Sequence, residues 1–205
     1  MNCQAPTEAE TFFKERDIDI ATLDGNYIDL NFERYRHRWQ LRGQFIRQFG
    51  FAIITSDVIK MICGYGPLVE VGSGSGYWAY ELRRAGIDVI ATDPATGKYD
   101  VLGKGFGHWE TPWLEIERIT GVEAVERYPE RSLLTVWPDY DMPWAAETLR
   151  AFKATTVLYV GEGQGGCTAD DDFHAQIEKC FDEVENIWLP QFDGIHDRLE
   201  VWKRK

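Results

Sequence analysis

The segment Leu68–Pro94, with the sequence LVEVGSGSGYWAYELRRAGIDVIATDP, constrains the fold more than any other part of the chain. An apolar run enters three glycines spaced two apart, and a second apolar run later stops at Asp93. The residues between the glycines and the second run have the pattern of a helix. The segment therefore predicts a strand at Leu68–Val71, a glycine turn, a helix that begins near Tyr77, and a second strand.

The rest of the chain continues this alternation of short apolar runs with helical segments. The apolar runs are LVEV, IDVIAT, WLEIERI, SLLTVWP, TTVLYVG, VENIWLP and DRLEVWK. Alternation of this kind requires crossover connections, which favour a doubly wound α/β fold with a mostly parallel, seven-stranded sheet. The last two runs, Val184–Pro190 and Asp197–Lys203, are joined by a linker too short for a helix, so they are expected to form an antiparallel hairpin at one edge.

The residues before Leu68 have a helical pattern. Helices are predicted at Pro6–Arg16, Phe32–Phe49 and Thr55–Cys63. We expect residues 1–66 to form a helical cap on a core of residues 67–205, within one compact domain, because a chain of 205 residues suits a single domain.

The glycine turn predicts a ligand site, since ligands of open α/β sheets bind beyond the carboxyl ends of the strands. Glycine lets a ligand approach the backbone closely, and the helix that follows offers unpaired N–H groups. The spacing differs from the dinucleotide pattern GxGxxG, whose third glycine would fall at Tyr77. Asp93 can accept hydrogen bonds from both hydroxyls of a ribose. A nucleotide or dinucleotide binder and a purely structural turn remain the alternatives.

Glu70, Gly72, Gly74 and Gly76, together with Asp93, give the chain a motif that resembles that of the class I methyltransferases that use S-adenosylmethionine. The resemblance extends in outline over residues 68–204. It implies a Rossmann-like fold, an S-adenosylmethionine cofactor held by the turn, ribose binding by Asp93, and an adenine contact near residues 121–124. The cofactor-binding residues that it implies are Glu70, Gly72, Ser73, Gly74, Gly76, Tyr77, Asp93, Val122, Glu123, Trp137 and Pro138.

The segment after the fourth strand, Trp137-Pro138-Asp139-Tyr140, lies where that family places its substrate-facing motif. Members that methylate amino groups carry Asn/Asp-Pro-Pro-Tyr there. Pro138 and Tyr140 match that motif, whereas Trp137 and Asp139 depart from it, which weakens the case for methylation of a base. Asp139 can serve as a general base or bind a cationic amine, and Tyr140 is the other candidate here. The alternative is a proline-bracketed loop with Tyr140 on the surface.

Three further positions are candidates for chemistry. Glu162 follows the fifth strand and is predicted to contact the substrate, whereas Thr168 is predicted to be the N-cap of the next helix. His196 can act as a base near neutral pH, although a hairpin turn explains its neighbourhood without function. His108 and Trp109 either cap the ribose or adenine or lie in a solvated loop.

The predicted helix Phe32–Phe49 places Arg34, Arg38 and Arg42 in one stripe, with Tyr35, Trp39, Ile46 and Phe49 on a roughly opposite apolar face. Such a stripe can bind RNA, an acidic peptide or a phosphorylated substrate. The interpretation we favour is a docked amphipathic helix whose arginines pair with the carboxylates of the chain itself.

Composition narrows the class of function. The net charge of −12 disfavours binding of nucleic acid, although a local basic patch stays possible. The four cysteines form no CxxC pair, so no metal site is predicted, and a reducing, cytoplasmic setting without membrane association is expected. Some of the eight tryptophans are expected to line a pocket or an interface.

The sequence thus predicts methyl transfer from S-adenosylmethionine to a small-molecule or protein acceptor, with Asp139, Tyr140 and Glu162 on the substrate side. Three alternatives stay open: an amino-directed nucleic-acid methyltransferase, a lyase or cyclase reaction of the same cofactor, and a non-catalytic binding or scaffold protein.

Overall fold

The computed structural model describes residues 5–25, 32–94 and 112–205, which are built around a six-stranded sheet. The strands are β1 (Leu68–Val71), β2 (Val89–Thr92), β3 (Ser132–Val136), β4 (Thr156–Gly161), β5 (Phe181–Trp188) and β6 (Arg198–Arg204). Their order is β2-β1-β3-β4-β6-β5. The first four strands are parallel, whereas β6 is antiparallel to both β4 and β5. The mostly parallel α/β sheet with its antiparallel C-terminal pair is confirmed.

The helices of the described ranges are α1 (Glu8–Lys14), α2 (Phe32–Phe49), α3 (Ser56–Ile62), α4 (Tyr77–Arg84), α5 (Gly121–Arg127), α6 (Trp144–Ala151) and α7 (Asp171–Cys180). Local sequence fixes several of their first turns. Thr7 and Thr120 each form a reciprocal capping box, with Glu10 and Glu123 respectively, and the Thr55 hydroxyl accepts a hydrogen bond from the N–H of Val58. None of the helices in these ranges is both long and apolar enough to cross a membrane.

The predicted seventh strand, WLEIERI, is not confirmed. Within the described residues this segment makes only one bridge, between Glu117 and Thr92 at the end of β2. Two backbone hydrogen bonds hold it there, from Asp93 N–H to the Glu117 carbonyl and from Glu117 N–H to the Ala91 carbonyl. The start of the segment contacts the glycine turn instead of β2, because the backbone N–H of Trp113 donates a hydrogen bond of 2.9 Å to the Ser75 carbonyl. The alternating pattern therefore gives a short edge contact instead of a strand.

Apolar clusters cover both faces of the sheet, as expected for a doubly wound fold. One cluster contains α1 to α4 and includes the packed rings of Phe12, Phe13, Phe45 and Phe49. The other contains side chains of α5, α6 and α7. The first cluster includes residues on both sides of position 66, so the helices before β1 share a core with the sheet. The division into a cap and a core stays a prediction.

The apolar face predicted for helix α2 is confirmed in part, because Ile46 and Phe49 are buried, whereas Arg42, predicted on the opposite stripe, also lies on the buried face. Its buried side chains are Leu41, Arg42, Phe45, Ile46 and Phe49, which recur at helical spacing. Trp39 was expected on the apolar face but is 40% exposed. Arg38 forms an ion pair with Asp193 at 2.7 Å, as the docked-helix interpretation expects. The side chains of Arg34 and Tyr35 lie outside the described part of the structure.

Candidate functional site

A pocket lies at the carboxyl ends of β1, β2 and β3. This is the edge of the sheet at which the sequence predicts a ligand. Its lining residues are Phe49, Gly50, Phe51, Glu70, Gly72, Ser73, Gly74, Ser75, Tyr77, Trp78, Asp93, Val136, Trp137, Asp139 and Trp144. The structure thus brings together eight of the residues that the sequence singled out: Glu70, Gly72, Ser73, Gly74, Tyr77, Asp93, Trp137 and Asp139.

The glycine turn depends on backbone angles that side chains rarely adopt. Gly72, Gly74 and Gly76 have φ angles of 69°, 53° and 76°. A Cβ atom on Gly72 would lie 2.7 Å from the ring of Trp144. Gly76 occupies the N-cap position of α4 and does not line the pocket. Its glycine is explained by the left-handed start of the helix.

Asp93 lies directly after β2 and is 3% exposed. Its Oδ2 accepts a hydrogen bond of 2.8 Å from the Gly74 N–H, which fixes the carboxylate against the turn. Beside it, the backbone N–H of Ser73 donates to the Thr92 carbonyl. The Ser73 hydroxyl is buried and makes no hydrogen bond within the described residues. A buried hydroxyl without a partner is costly, so it marks a position where a polar ligand atom would be stabilising.

Glu70 lies beneath the turn and is 1% exposed. Burial, with a smaller contribution from the nearby Asp93 carboxylate, raises the pKa of Glu70 to about 8, although the hydrogen bond from the Ala79 N–H opposes the shift. Tyr77 begins α4, and its hydroxyl accepts from the Ala9 N–H and donates to Glu81. The Tyr77 ring therefore ties α1 to the floor of the pocket.

The described side chains that line the pocket include acids but no bases. Its lining includes the carboxyl groups of Glu70, Asp93 and Asp139, and no lysine or arginine among the described residues. Aromatic rings form much of the remaining wall, and the faces of such rings attract cations. Carboxyl groups and ring faces are both groups that stabilise a cation.

The segment after β3 is held in a strained conformation. Trp137 has a φ of 52°, which a bulky side chain rarely adopts. Its backbone N–H donates to the Val160 carbonyl at 2.8 Å, and its indole Nε1 donates to Asp197 at 2.6 Å. The indole also stacks on Phe51, with ring centres 5.0 Å apart and planes inclined by 11°. These contacts fix Trp137 as a wall of the pocket.

Asp139 is the substrate-side candidate that lines the pocket, and its Oδ2 accepts a hydrogen bond of 3.0 Å from the indole of Trp144. Tyr140 is 66% exposed and lies outside the pocket lining. Pro138 is buried and does not line the pocket, and its carbonyl accepts a hydrogen bond from the Ala169 N–H. The substrate and cofactor roles of these residues stay predictions.

Glu162 is 5% exposed, and its carboxylate is hydrogen-bonded to backbone groups. Its two carboxylate oxygens accept from the N–H groups of Cys167 and His196, at 2.7 and 2.9 Å. The Nδ1 atom of His196 lies 3.5 Å from the same carboxylate, and the imidazole is half exposed. Neither residue lines the pocket, so their chemical roles also stay predictions.

The prediction that Thr168 caps α7 is wrong. The N-cap is Asp170, whose carboxylate accepts a hydrogen bond from the Phe173 N–H. The hydroxyl of Thr168 instead accepts from the backbone N–H of Glu162 and donates to its carbonyl. Thr168 lies two residues before the N-cap, and its hydroxyl stabilises the loop after β4 instead of capping the helix.

Val122 and Glu123 lie on α5 and do not line the pocket. The carboxylate of Glu123 completes the capping box of α5 with Thr120, and these hydrogen bonds lower the pKa of Glu123. Gly121 fits tightly there, since a Cβ atom would lie 2.1 Å from the Thr148 hydroxyl. The adenine contact stays a prediction. His108 and Trp109 lie outside the described residues.

Several wall residues were not identified from the sequence. They are Phe49, Gly50, Phe51, Ser75, Trp78, Val136 and Trp144. The high tryptophan content indicated that some indoles line a pocket, and Trp78, Trp137 and Trp144 do so. No pattern in the sequence distinguishes these three from the other tryptophans.

Comparison with known proteins agrees with this architecture. The chain is similar to magnesium protoporphyrin IX methyltransferase from Synechocystis PCC 6803 with bound S-adenosylmethionine, at 10% identity and a TM-score of 0.50, over 95% of this chain and 94% of that one. It is also similar to a TehB-like S-adenosylmethionine-dependent methyltransferase from Corynebacterium glutamicum, at 18% identity and a TM-score of 0.49, over 84% and 97% of the two chains. Neither a protein-family model nor a curated protein matches the sequence.

A third similar structure is 1,6-didemethyltoxoflavin-N1-methyltransferase from Burkholderia thailandensis, at 11% identity and a TM-score of 0.45, over 95% of this chain and 84% of that one. These neighbours differ in the substrates that their names give. The chain therefore has the Rossmann-like α/β fold of the Synechocystis methyltransferase, which confirms the fold that the resemblance in the sequence implies.

Proposed function

We propose that this protein binds S-adenosylmethionine in the pocket beside the glycine turn and transfers its methyl group to a small-molecule acceptor. The observation that carries the proposal is the glycine turn, where Gly72 and Gly74 leave the backbone open beside the buried carboxylate of Asp93 at the carboxyl ends of the strands. The carboxyl groups of Glu70 and Asp139 also line this pocket. Such groups suit the sulfonium and ammonium groups of S-adenosylmethionine better than the phosphates of a dinucleotide.

The remaining features of the pocket fit the same cofactor. In this proposal Asp93 accepts the ribose hydroxyls, and the backbone of the turn permits close approach because Gly72 and Gly74 have no Cβ. The buried Ser73 hydroxyl, which has no partner among the described residues, offers a polar contact. Glu70 compensates a cationic group of the ligand, which would favour ionisation of its carboxyl.

When bound, S-adenosylmethionine supplies a methyl group that its sulfonium already activates. The chain then needs to orient the acceptor and to exclude water. Trp137, Phe51 and Trp144 supply apolar walls for both tasks. Asp139 is the proposed general base or amine ligand, because its carboxylate lines the pocket and the Trp144 indole fixes its orientation.

The first test is calorimetric titration with S-adenosylmethionine of the wild type, of Asp93→Ala, and of Asp57→Ala as a matched control. Asp57 is an exposed acid on α3 and does not line the pocket. We expect saturable binding that Asp93→Ala loses and Asp57→Ala keeps, with no binding of NAD. Absence of binding at millimolar S-adenosylmethionine, or equal binding of NAD, would overturn the proposal.

A second candidate function is a non-catalytic binding protein, which the departures at Trp137 and Asp139 from the amino-methylating motif favour. Cofactor binding without turnover across a broad acceptor panel would support it. Cofactor consumption without a methylated product would instead indicate lyase or cyclase chemistry. An RNA or DNA acceptor is less well supported, since Arg38 is paired with Asp193 and Arg42 is buried.

A further inference from the structure

Arg42 is the one buried arginine among those of α2 whose side chains the structure describes, and nothing proposed so far uses it. Its side chain is 8% exposed. Within the described residues its guanidinium forms no hydrogen bond and no ion pair, and its Nε is fully enclosed without a partner. Burial lowers the pKa of Arg42, which reflects the cost of removing this charge from water. A buried guanidinium presents five N–H donors, so leaving them unused is costly.

The guanidinium lies at the edge of the proposed methyl-transfer site. Its central carbon is 5.8 Å from the ring centre of Trp137 and 5.3 Å from that of Trp39. Trp137 lines the pocket, whereas Arg42 itself does not, so the guanidinium lies next to a residue of the pocket wall. Trp39, the other ring beside the guanidinium, is 40% exposed.

Two carboxylates lie close enough to act electrostatically on Arg42, but both accept hydrogen bonds from other groups. The oxygens of Glu162 accept from the backbone N–H groups of Cys167 and His196. Asp197 accepts from the indole of Trp137 and is 2% exposed. Neither forms an ion pair with Arg42, although both attract its positive charge. They balance the charge of the guanidinium in part and leave its donors available.

We propose that Arg42 binds the carboxylate of a small-molecule methyl acceptor and so positions that acceptor beside Trp137; this inference rests on the proposed methyltransferase function. A guanidinium pairs with a carboxylate through two parallel N–H···O bonds. A single negative charge suits the site, because Glu162 and Asp197 already lie near it. A phosphate with two charges would meet stronger repulsion from the same two groups. The carboxylate serves as an anchor, and the nucleophile is another group of the acceptor.

The test uses protein saturated with S-adenosylhomocysteine, so that the cofactor pocket is filled. Benzoate, phenylacetate and hexanoate are titrated calorimetrically, each beside its primary amide and beside phenyl phosphate. The variants are Arg42→Gln and Arg42→Lys, and Arg47→Gln is the matched control because Arg47 is exposed on the same helix. Arg42→Lys keeps the charge but lacks the planar fork that matches a carboxylate.

We expect at least one carboxylate to bind more tightly than its amide and than phenyl phosphate. Arg42→Gln should weaken it about tenfold to a hundredfold, Arg42→Lys less, and Arg47→Gln not at all. Carboxylates that bind no better than their amides, or that bind equally well to Arg42→Gln, would overturn the inference. Preference for phenyl phosphate would show that the anchor group is not a carboxylate and would overturn it as well.

S-adenosylhomocysteine binding by every variant is measured first. Its loss only in Arg42→Gln and Arg42→Lys would assign Arg42 a structural role and overturn the inference, whereas its absence from the wild type removes the proposed function itself.

Discussion

At the scale of single residues, Gly72 has little conformational or steric freedom in the pocket. Its backbone is left-handed, with a φ of 69°, and the ring of Trp144 would lie 2.7 Å from a Cβ atom. Gly165 offers a natural comparison, since its φ is 83° but no atom lies within 4 Å of its Cβ position. The two glycines share the backbone strain and differ in the space around them.

Replacement of Gly72 by alanine is expected to cost about 2–4 kcal/mol of unfolding free energy, from backbone strain and steric overlap together. The affinity for S-adenosylmethionine should fall at least about tenfold, because Trp144 must move within the pocket wall. Gly165→Ala introduces only the backbone strain, so it should cost about 1–2 kcal/mol of unfolding free energy and leave the affinity for S-adenosylmethionine unchanged. Urea unfolding and calorimetric titration measure both effects. Equal losses of stability and unchanged binding in the two variants would contradict this account.

At the scale of elements, Glu162 joins two loops at the carboxyl edge of the sheet. Its carboxylate receives one N–H from Cys167, in the loop after β4, and one from His196, in the loop between β5 and β6. The loop is tightly folded there, since a Cβ atom on Gly166 would lie 2.4 Å from the Cβ of Glu162. The two hydrogen bonds from backbone N–H groups compensate for burying the carboxylate at this point.

Glu162→Gln should loosen both loops, because the amide group would direct an N–H towards one of two backbone donors. We expect a loss of about 1–3 kcal/mol in unfolding free energy. Amide hydrogen exchange at Cys167 and His196 should also become faster, whereas Glu147→Gln, an exposed glutamate on α6, leaves it unchanged. Unchanged exchange at both amides in Glu162→Gln would show that the carboxylate does not hold these loops.

The sequence predicts regular elements well where local signals and burial agree. Helix α2 has the predicted bounds Phe32–Phe49, and β1 has the predicted bounds Leu68–Val71. The burial of Arg42 was missed, although it stands three, four and seven positions before Phe45, Ile46 and Phe49 on the same face. A charge at such a position is ordinarily assigned to solvent, and only packing against the neighbouring loops decides otherwise.

The candidate site is likewise predictable where its residues are close in sequence and not where they come from separate elements. The turn and Asp93 are local in sequence, since strand, glycines and acid follow one another within β1, α4 and β2. The aromatic walls come from separate elements: Phe51 follows α2, Trp137 follows β3 and Trp144 begins α6. Their meeting depends on how α2 docks on the sheet, which no local pattern specifies.

At the scale of the whole molecule, buried carboxyl groups dominate the response to pH. Burial is the main cause that raises the pKa of Glu70 to about 8, that of Asp197 to about 7, and those of Glu81 and Glu200 above their ordinary values. In the unfolded chain these groups lose their protons at lower pH than in the folded one. The folded state then holds more protons, so its stability falls as the pH rises between these two pKa values.

Glu70 allows this prediction to be tested at one position. Its ordinary pKa of 4.5 and its folded pKa of about 8 define a window from about pH 5 to pH 8. Glu70→Gln keeps an acceptor for the Ala79 N–H but cannot ionise, so it should gain stability over the wild type by about 1.4 kcal/mol for each pH unit in this window. Urea unfolding without ligand at several pH values measures the difference. Val69→Ala, a fully buried neighbour on β1, should lower stability by the same amount at every pH. A constant difference between Glu70→Gln and the wild type across the window would mean that Glu70 is already ionised in the folded protein, and that the pocket provides its compensating charge before any ligand binds.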